Sequence, residues 1–407
     1  MASLLAQTLG FIGPKIGSAA ASWVFQKSVN SLFESDNALI RNDIRALSTK
    51  VEQIQTSVNN LVKQIDAMKI VLRSDTLNEK LTIINSHYDT ILLIFQAVLD
   101  IENSPKEKQQ AQLNDSQKRL RQKLKDCVHD LPEALKGIHV FLGESGENNI
   151  VVDVRNKVLA DSRDFVVYYS RMKLWMQRLW LVEAKALYLL RMAHQTAGVN
   201  YFEGLHFIET YTKPTGILKE QATHFENTVG HHVISLFDAL AKNNGSVAVQ
   251  FRNHALSPIT RRAEGDPINN VWRPALPFPD GVNLAFSLDK HSFTAWDPSA
   301  LTPYQFTITA KDAAQGRSYY MSHWYGEILG FGIRCYLPES IGGSAGSWYV
   351  KPGPNGGDYF NLEYVPGPNN FGARASYFLR HSEVYLDLDN ALEPADVRYR
   401  WHLDVQS

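Results

Sequence analysis

Apolar residues step by four and three along positions 40–98: Ile40, Ile44, Leu47, Val51, Ile54, Val58, Leu61, Ile65 and Met68, then Leu77, Leu81, Ile84, Tyr88, Ile91, Phe95 and Val98. A mean step of ~3.5 residues keeps one stripe facing a partner helix. Neither run contains Pro or Gly, and Arg73-Ser74-Asp75-Thr76 between them supplies side chains that accept hydrogen bonds from the first N–H groups of a new helix. The pattern predicts an antiparallel helical hairpin. At ~1.5 Å per residue its first arm, from about Asn37 to Leu72, would extend roughly 54 Å, a rod that needs further helices against it.

Further helical patterns follow. Ser104-Pro105 opens a Lys- and Gln-rich stretch read as a helix to about Cys127, with Leu113, Leu120 and Leu124 as its apolar side, and a shorter helix ends near Gly143. After a loop over 143–149, a long helix begins at about Val151. Its segment 165–192 carries Phe165, Tyr168, Tyr169, Trp175, Leu179, Trp180, Leu187 and Leu190 on nearly all sides, the signature of a helix buried at the centre of its domain. Arg171, Arg178 and Lys185 recur every seventh residue as a cationic edge that meets either solvent or anionic lipid headgroups. Pro214 interrupts the pattern, and a last amphipathic helix runs from Ile217 through Phe225, Val229, Val233 and Phe237 to Leu240. Asn243-Asn244-Gly245-Ser246 is a turn-rich linker.

Beyond the linker the helical period gives way to a repeat. Trp296, Trp348 and Trp401 are spaced by 52 and 53 residues, in step with Phe251, Phe306 and Phe360 at 55 and 54. Ser318-Tyr319-Tyr320-Met321-Ser322-His323 parallels Ser376-Tyr377-Phe378-Leu379-Arg380-His381. Short alternating strands between Gly, Pro and Asn mark an all-β region. Three copies of this kind over 246–407 resemble a β-trefoil, and the resemblance implies a capped six-stranded barrel with the tryptophans in its core. The ricin-B-like lectins of that fold carry Gln-x-Trp in each copy; here Thr294, Gly346 and Tyr399 stand two residues before the tryptophans. The expected architecture is an α+β multidomain chain. An elongated all-α bundle with a long helical hairpin fills 1–242, a linker 243–247, and an all-β β-trefoil 248–407.

Composition narrows the function. A net charge of −1 gives no basic field for nucleic acid. The two cysteines, Cys127 and Cys335, make neither a disulfide framework nor a CxxC pair, as expected of a chain made in a reducing compartment. Lys15 is the one charge in the first twenty-five residues, where Leu4, Leu5, Leu9, Phe11, Ile12, Ile16, Trp23 and Phe25 are interrupted by Gly10, Gly13 and Pro14. Lacking a positive n-region, this segment is expected to be retained rather than cleaved as a signal peptide. It is too broken for a resident span, which fits conditional insertion into a bilayer, or else a core helix wrapped by the bundle.

No phosphate loop, HExxH or nucleophile elbow is present. His224, Glu226, His231 and His232 lack zinc-site spacing, so no enzyme activity, cofactor or metal is expected. Sugar recognition needs an aromatic face and a few polar groups. Trp272, His323, Trp324, Tyr325, Arg380 and His381 supply those types in the β region.

The heptad hairpin, uncharged N-terminus and hydrophobic central helix resemble the α-helical pore-forming toxins, including the ClyA-like and insecticidal bundles. Joined to a trefoil, the whole resembles a two-domain lectin toxin of the defence and insecticidal kind. That resemblance implies a soluble protein, stored in the cytoplasm or released non-classically, that binds a cell-surface glycan or glycosylated receptor. It would insert its N-terminal helices into the target membrane lipid as a homo-oligomer. The alternative is an intracellular signalling scaffold with a HeLo- or MLKL-like helical domain and a protein-binding trefoil.

Overall fold

A computed structural model describes residues 75–406 apart from 102–104, 144–148, 197–201, 214, 254–284, 291–295, 298–301, 313–316, 327–329, 337–346, 355–357, 366–376, 382–385, 390–395 and 397–398. The first arm of the expected hairpin and the candidate membrane segment from Leu4 to Phe25 lie outside the described residues. The chain divides into two compact units, one of Met1–Asp153 and Lys173–Phe225, the other of Val154–Met172 and Glu226–Ser407.

In the first unit, α1 (Asp75–Asp100) is the second arm of the heptad pattern. Leu77, Leu81, Ile84, Tyr88, Ile91, Phe95 and Val98, its whole four-three stripe, are buried, and α1 packs on α2 (Lys106–Leu142). The stripe continues on α2 as Leu120, Leu124, Cys127, Leu131, Leu135, Ile138 and Leu142, all buried. The two helices expected over this stretch are one, with Pro132 inside it. Proline removes one intrahelical hydrogen bond and crowds the preceding turn, yet the helix continues through it, with Leu131 and Leu135 buried on either side. The Gly143 N–H closes the helix on the His139 carbonyl at 2.8 Å.

The long helix expected from Val151 is broken into α3 (Ile150–Asp161) and α4 (Phe165–Thr196). The break is chemical: Asp164 Oδ1 accepts hydrogen bonds from the N–H groups of Val166 at 2.8 Å and Val167 at 3.1 Å, an N-cap that starts a new helix. As its composition predicts, α4 is buried on nearly all sides. The expected cationic edge does not survive, because Lys185 is only 1 % exposed. A helix not expected from the sequence, α5 (Phe202–Thr212), precedes α6 (Ile217–Val229). The last expected helix divides at Gly230, whose φ of 102° lies where only glycine sits without strain, and resumes as α7 (His231–Lys242). None of the described helices is long and apolar enough to cross a membrane.

Between α5 and α6, Gly216 leaves no room for a side chain. An added Cβ would lie 2.4 Å from the Thr210 carbonyl oxygen and 2.8 Å from that of Tyr211. Gly216→Ala should therefore destabilise the helical unit by about 1–3 kcal/mol through forced backbone displacement, read as a lower urea midpoint with unchanged m.

The second unit is built on ten antiparallel strands: β1 (Ser246–Asn253), β2 (Ala285–Lys290), β3 (Phe306–Asp312), β4 (Arg317–Gly326), β5 (Gly330–Tyr336), β6 (Ser347–Pro352), β7 (Phe360–Val365), β8 (Tyr377–His381), β9 (Leu386–Asp389) and β10 (Trp401–Val405). Pairings β10–β1, β1–β2, β2–β3, β3–β6, β6–β7 and β7–β10 close six of them into a barrel. Aromatic residues make two of the closures: Phe306 opposes Trp348 where β3 meets β6, and Phe360 opposes Trp401 where β7 meets β10. All four are fully buried.

The expected β-trefoil is corrected to this closed six-stranded antiparallel barrel. A trefoil needs three equivalent four-stranded copies. The described strands instead group as two, four and four, with hairpins β4–β5 and β8–β9 in the second and third groups joined edge to edge through β5–β9. The first tryptophan breaks the equivalence, since Trp296 is off the strands and half-buried, its ring beside Phe237 and Tyr304.

The N-terminal turns of α4 form part of this unit's core. Phe165 stacks on Phe306 and meets Phe360 edge-on, each at a centroid distance of 5.7 Å. Asp164 Oδ2 accepts the Tyr304 N–H at 3.0 Å, and Arg163 donates to Glu363 at 2.8 Å while lying over the Tyr349 ring. Tyr169 and Phe237 add a T-shaped contact between α4 and α7 at 4.7 Å.

Candidate functional site

The hairpins bring two of the candidate sugar residues into one line. Trp324 on β4 opposes Gly332 on β5, Gly332 opposes Asp387 on β9, and Asp387 opposes Arg380 on β8. Four strands at ~4.8 Å spacing make this row about 14 Å long. Residues directly opposed in an antiparallel pair belong to the same alternation set, and the set of this row also holds Tyr320, Ser322, Gly326, Gly330, Arg334, Tyr336, Phe378 and Asp389. His323, Tyr325 and His381 fall in the other set, with Met321, Ile333, Cys335, Leu379 and Leu388. The hairpins thus divide the residues that composition alone had grouped, and Trp272 lies outside the described residues. Asp387 and Gly332 carried no signal of their own in the sequence, because their relevance comes from register between strands some fifty residues apart.

In the helical unit, polar groups missed at the sequence level meet in the core. His87 Nε2 donates to Asp130 Oδ2 at 3.0 Å, which leaves Nδ1 as the acceptor 3.4 Å from Cys127 Sγ. A nucleophile, a base and an orienting carboxylate stand in order here. Burial nevertheless pushes the thiol up to about 12 and, with Lys123, lowers the imidazole below its usual value against the pull of Asp130. With Cys127 wholly inside the α1–α2 seam, this is a satisfied core contact with no route for substrate.

The other cluster surrounds Glu183 of α4, which is fully buried. Gln221 Nε2 donates to its Oε1 at 2.9 Å, Tyr211 Oη lies 3.1 Å from the same oxygen, and Oε2 has no hydrogen-bond partner. Trp180 Nε1 fixes the Gln221 amide by donating to its Oε1 at 3.0 Å. Burial pushes the Glu183 carboxyl up to about 7, against the opposing hydrogen bond of Gln221. Two residues further on, Lys185 donates to Asn85 Oδ1 at 2.9 Å and lies 4.8 Å from the Tyr88 ring centroid. Burial draws its ammonium down to about 8 against the favourable charge of Asp89.

The four residues weighed for zinc are dispersed. His224 pairs with Asn149, His231 with Asn227 at 2.9 Å, and the His232 ring packs on Phe360, where burial draws it down to about 4. Among the described residues no group of three or more His, Cys, Asp or Glu could hold a metal ion. No known protein family matches the chain, and neither the curated proteins nor the solved structures provide a match.

Proposed function

We propose that this is a saccharide-binding, membrane-permeabilising protein without enzymatic activity. The barrel hairpins dock on a cell-surface glycan or glycosylated receptor, and the helical region then acts on the target membrane lipid as a homo-oligomer. The observation that carries the reading is the row Trp324–Gly332–Asp387–Arg380. An aromatic residue can stack on sugar C–H groups, glycine leaves the backbone open to close approach, and an opposed carboxylate and guanidinium can fix hydroxyls. Membrane action is supported by the nearly charge-free N-terminus and by the apolar circumference of α4. With no described helix long and apolar enough to span, insertion is assigned to residues 1–33.

The test is dye release from phospholipid vesicles with and without glycolipid, run beside a glycan array. The full-length protein should select a saccharide and leak glycolipid vesicles preferentially. Trp324→Ala should weaken glycan binding by about tenfold or more, as loss of a central aromatic contact does, with unchanged circular dichroism. A protein that binds no glycan and leaves every vesicle sealed would end the proposal.

A further inference from the structure

Around Glu183 there are more acceptors than hydrogens. Tyr211 has one hydroxyl hydrogen and two neighbouring oxygens, the Leu135 carbonyl at 2.7 Å and Glu183 Oε1 at 3.1 Å. The shorter contact takes the hydrogen, because the Leu135 carbonyl can only accept. The 3.1 Å approach is then favourable only if the carboxyl itself carries a proton and donates it to Tyr211 Oη. The unpartnered Oε2 agrees, since a bare carbonyl oxygen is far cheaper to bury than a bare carboxylate oxygen.

We propose that Glu183 is a proton-operated lock: the protonated carboxyl ties α4 to α5, α6 and the Leu135 carbonyl of α2, and its ionisation loosens α5 and α6 from the central helix. The groups bonded to it are Tyr211 from α5 and Gln221 from α6, held in turn by the Leu135 carbonyl of α2 and by Trp180 of α4, and none of these is cationic. Lys185 cannot compensate. Two positions along a helix is about 200° around it, and its ammonium engages Asn85 and Tyr88 of α1 instead. Glu220, next to Gln221, is turned to His139 at 3.7 Å.

The sign follows from linkage. The folded carboxyl holds its proton to a higher pH than the unfolded one, so its stabilisation is complete below about 4.5 and is lost as pH rises through about 7. Lys185 acts elsewhere on the scale: drawn down in the fold, it adds stability only as pH rises beyond about 8. His87, lowered by burial, opposes Glu183 by destabilising the α1–α2 seam in acid. The helical unit is thereby locked by mild acid and loosest near neutrality, a trigger that does not depend on the membrane reading.

The experiment is residue-resolved amide exchange on the full-length protein at pH 5 and pH 8, corrected for intrinsic rates, comparing wild type with Glu183→Gln. Glutamine copies the shape and neutrality of the protonated acid. Wild-type protection in α5 and α6 should fall on the order of 10²-fold between the two pH values, the ratio set by a shift of about 2.5 in pKa, while Glu183→Gln stays level. Infrared spectroscopy gives a second readout at pH 6: a protonated-carboxyl band stronger in wild type than in the variant, where the half-protonated Asp164 still contributes. Equal pH dependence in both proteins, or bands of equal intensity, would overturn the lock. Vesicle leakage, followed separately, bears on the membrane proposal alone.

Discussion

Phe165→Ala should cost the barrel unit about 3–5 kcal/mol, the usual penalty for removing a buried phenylalanine whose neighbours cannot close the gap. Those neighbours are constrained. Phe306 and Phe360, on which Phe165 rests, are each opposed by a buried tryptophan at a pairing that closes the barrel. Moving either ring inward would pull β3 from β6 or β7 from β10. Phe165→Leu, which keeps much of the volume, should cost markedly less. Urea unfolding followed by tryptophan emission reads the effect where Trp348 and Trp401 sit. A loss under about 1 kcal/mol would mean that the start of α4 is not part of this core.

Asp164→Ala should be nearly as damaging, by about 2–4 kcal/mol. It removes a cap, worth about 1 kcal/mol in itself, and strands the buried Tyr304 N–H, a further 1–3 kcal/mol. The pH dependence runs opposite to that of a salt-bridged carboxylate. Burial pushes the Asp164 carboxyl up to about 6 despite the hydrogen bonds of Val167, Tyr304 and Val166. A raised carboxyl contributes most below its unfolded value and loses that contribution as pH rises through about 6. The penalty of the substitution should therefore be larger at pH 4.5 than at pH 7.5, by about 2 kcal/mol, in paired urea titrations. A penalty that shrinks in acid would show that Asp164 is stabilised chiefly as the anion.

How far the sequence could be read depended on the range of each interaction. The seam of α1 follows from spacing alone, because side chains three and four apart on a helix share one side whatever packs there. Helix breaks at Asp164 and Gly230 were hidden by apolar periods that run on through them. A capping aspartate and a lone glycine mark an end only when the chain turns. Lys185 misled for a related reason: a seven-residue recurrence of cations describes a stripe and says nothing of its exposure. The Glu183 cluster joins residues 28 and 38 positions apart in the chain, which no local pattern encodes.

The β region shows the same divide. Phe306 with Trp348 and Phe360 with Trp401 were in step in the sequence and prove to be opposed at the barrel closures. Extending the rhythm to Trp296 implied a third equivalent copy, and the described strands do not supply it. Of the candidate sugar residues, types were legible and alignment was not, since the row containing Trp324 and Arg380 exists only through the β5–β9 pairing.

Each of the ten described strands has a hydrogen-bonded neighbour on both sides, whether through the barrel closures or the joined hairpins. The pairing is nevertheless uneven: Met321–Gly326 of β4 have a strand partner only in β5, and β5 meets β9 at the single pair Gly332–Asp387, so the β4–β5 hairpin keeps partly unpaired edges of the kind through which sheet proteins recruit another chain. Backbone-mediated self-association of the described sheet is therefore expected at the β4–β5 hairpin rather than within the closed barrel, and a crowded solution should exchange strands there first.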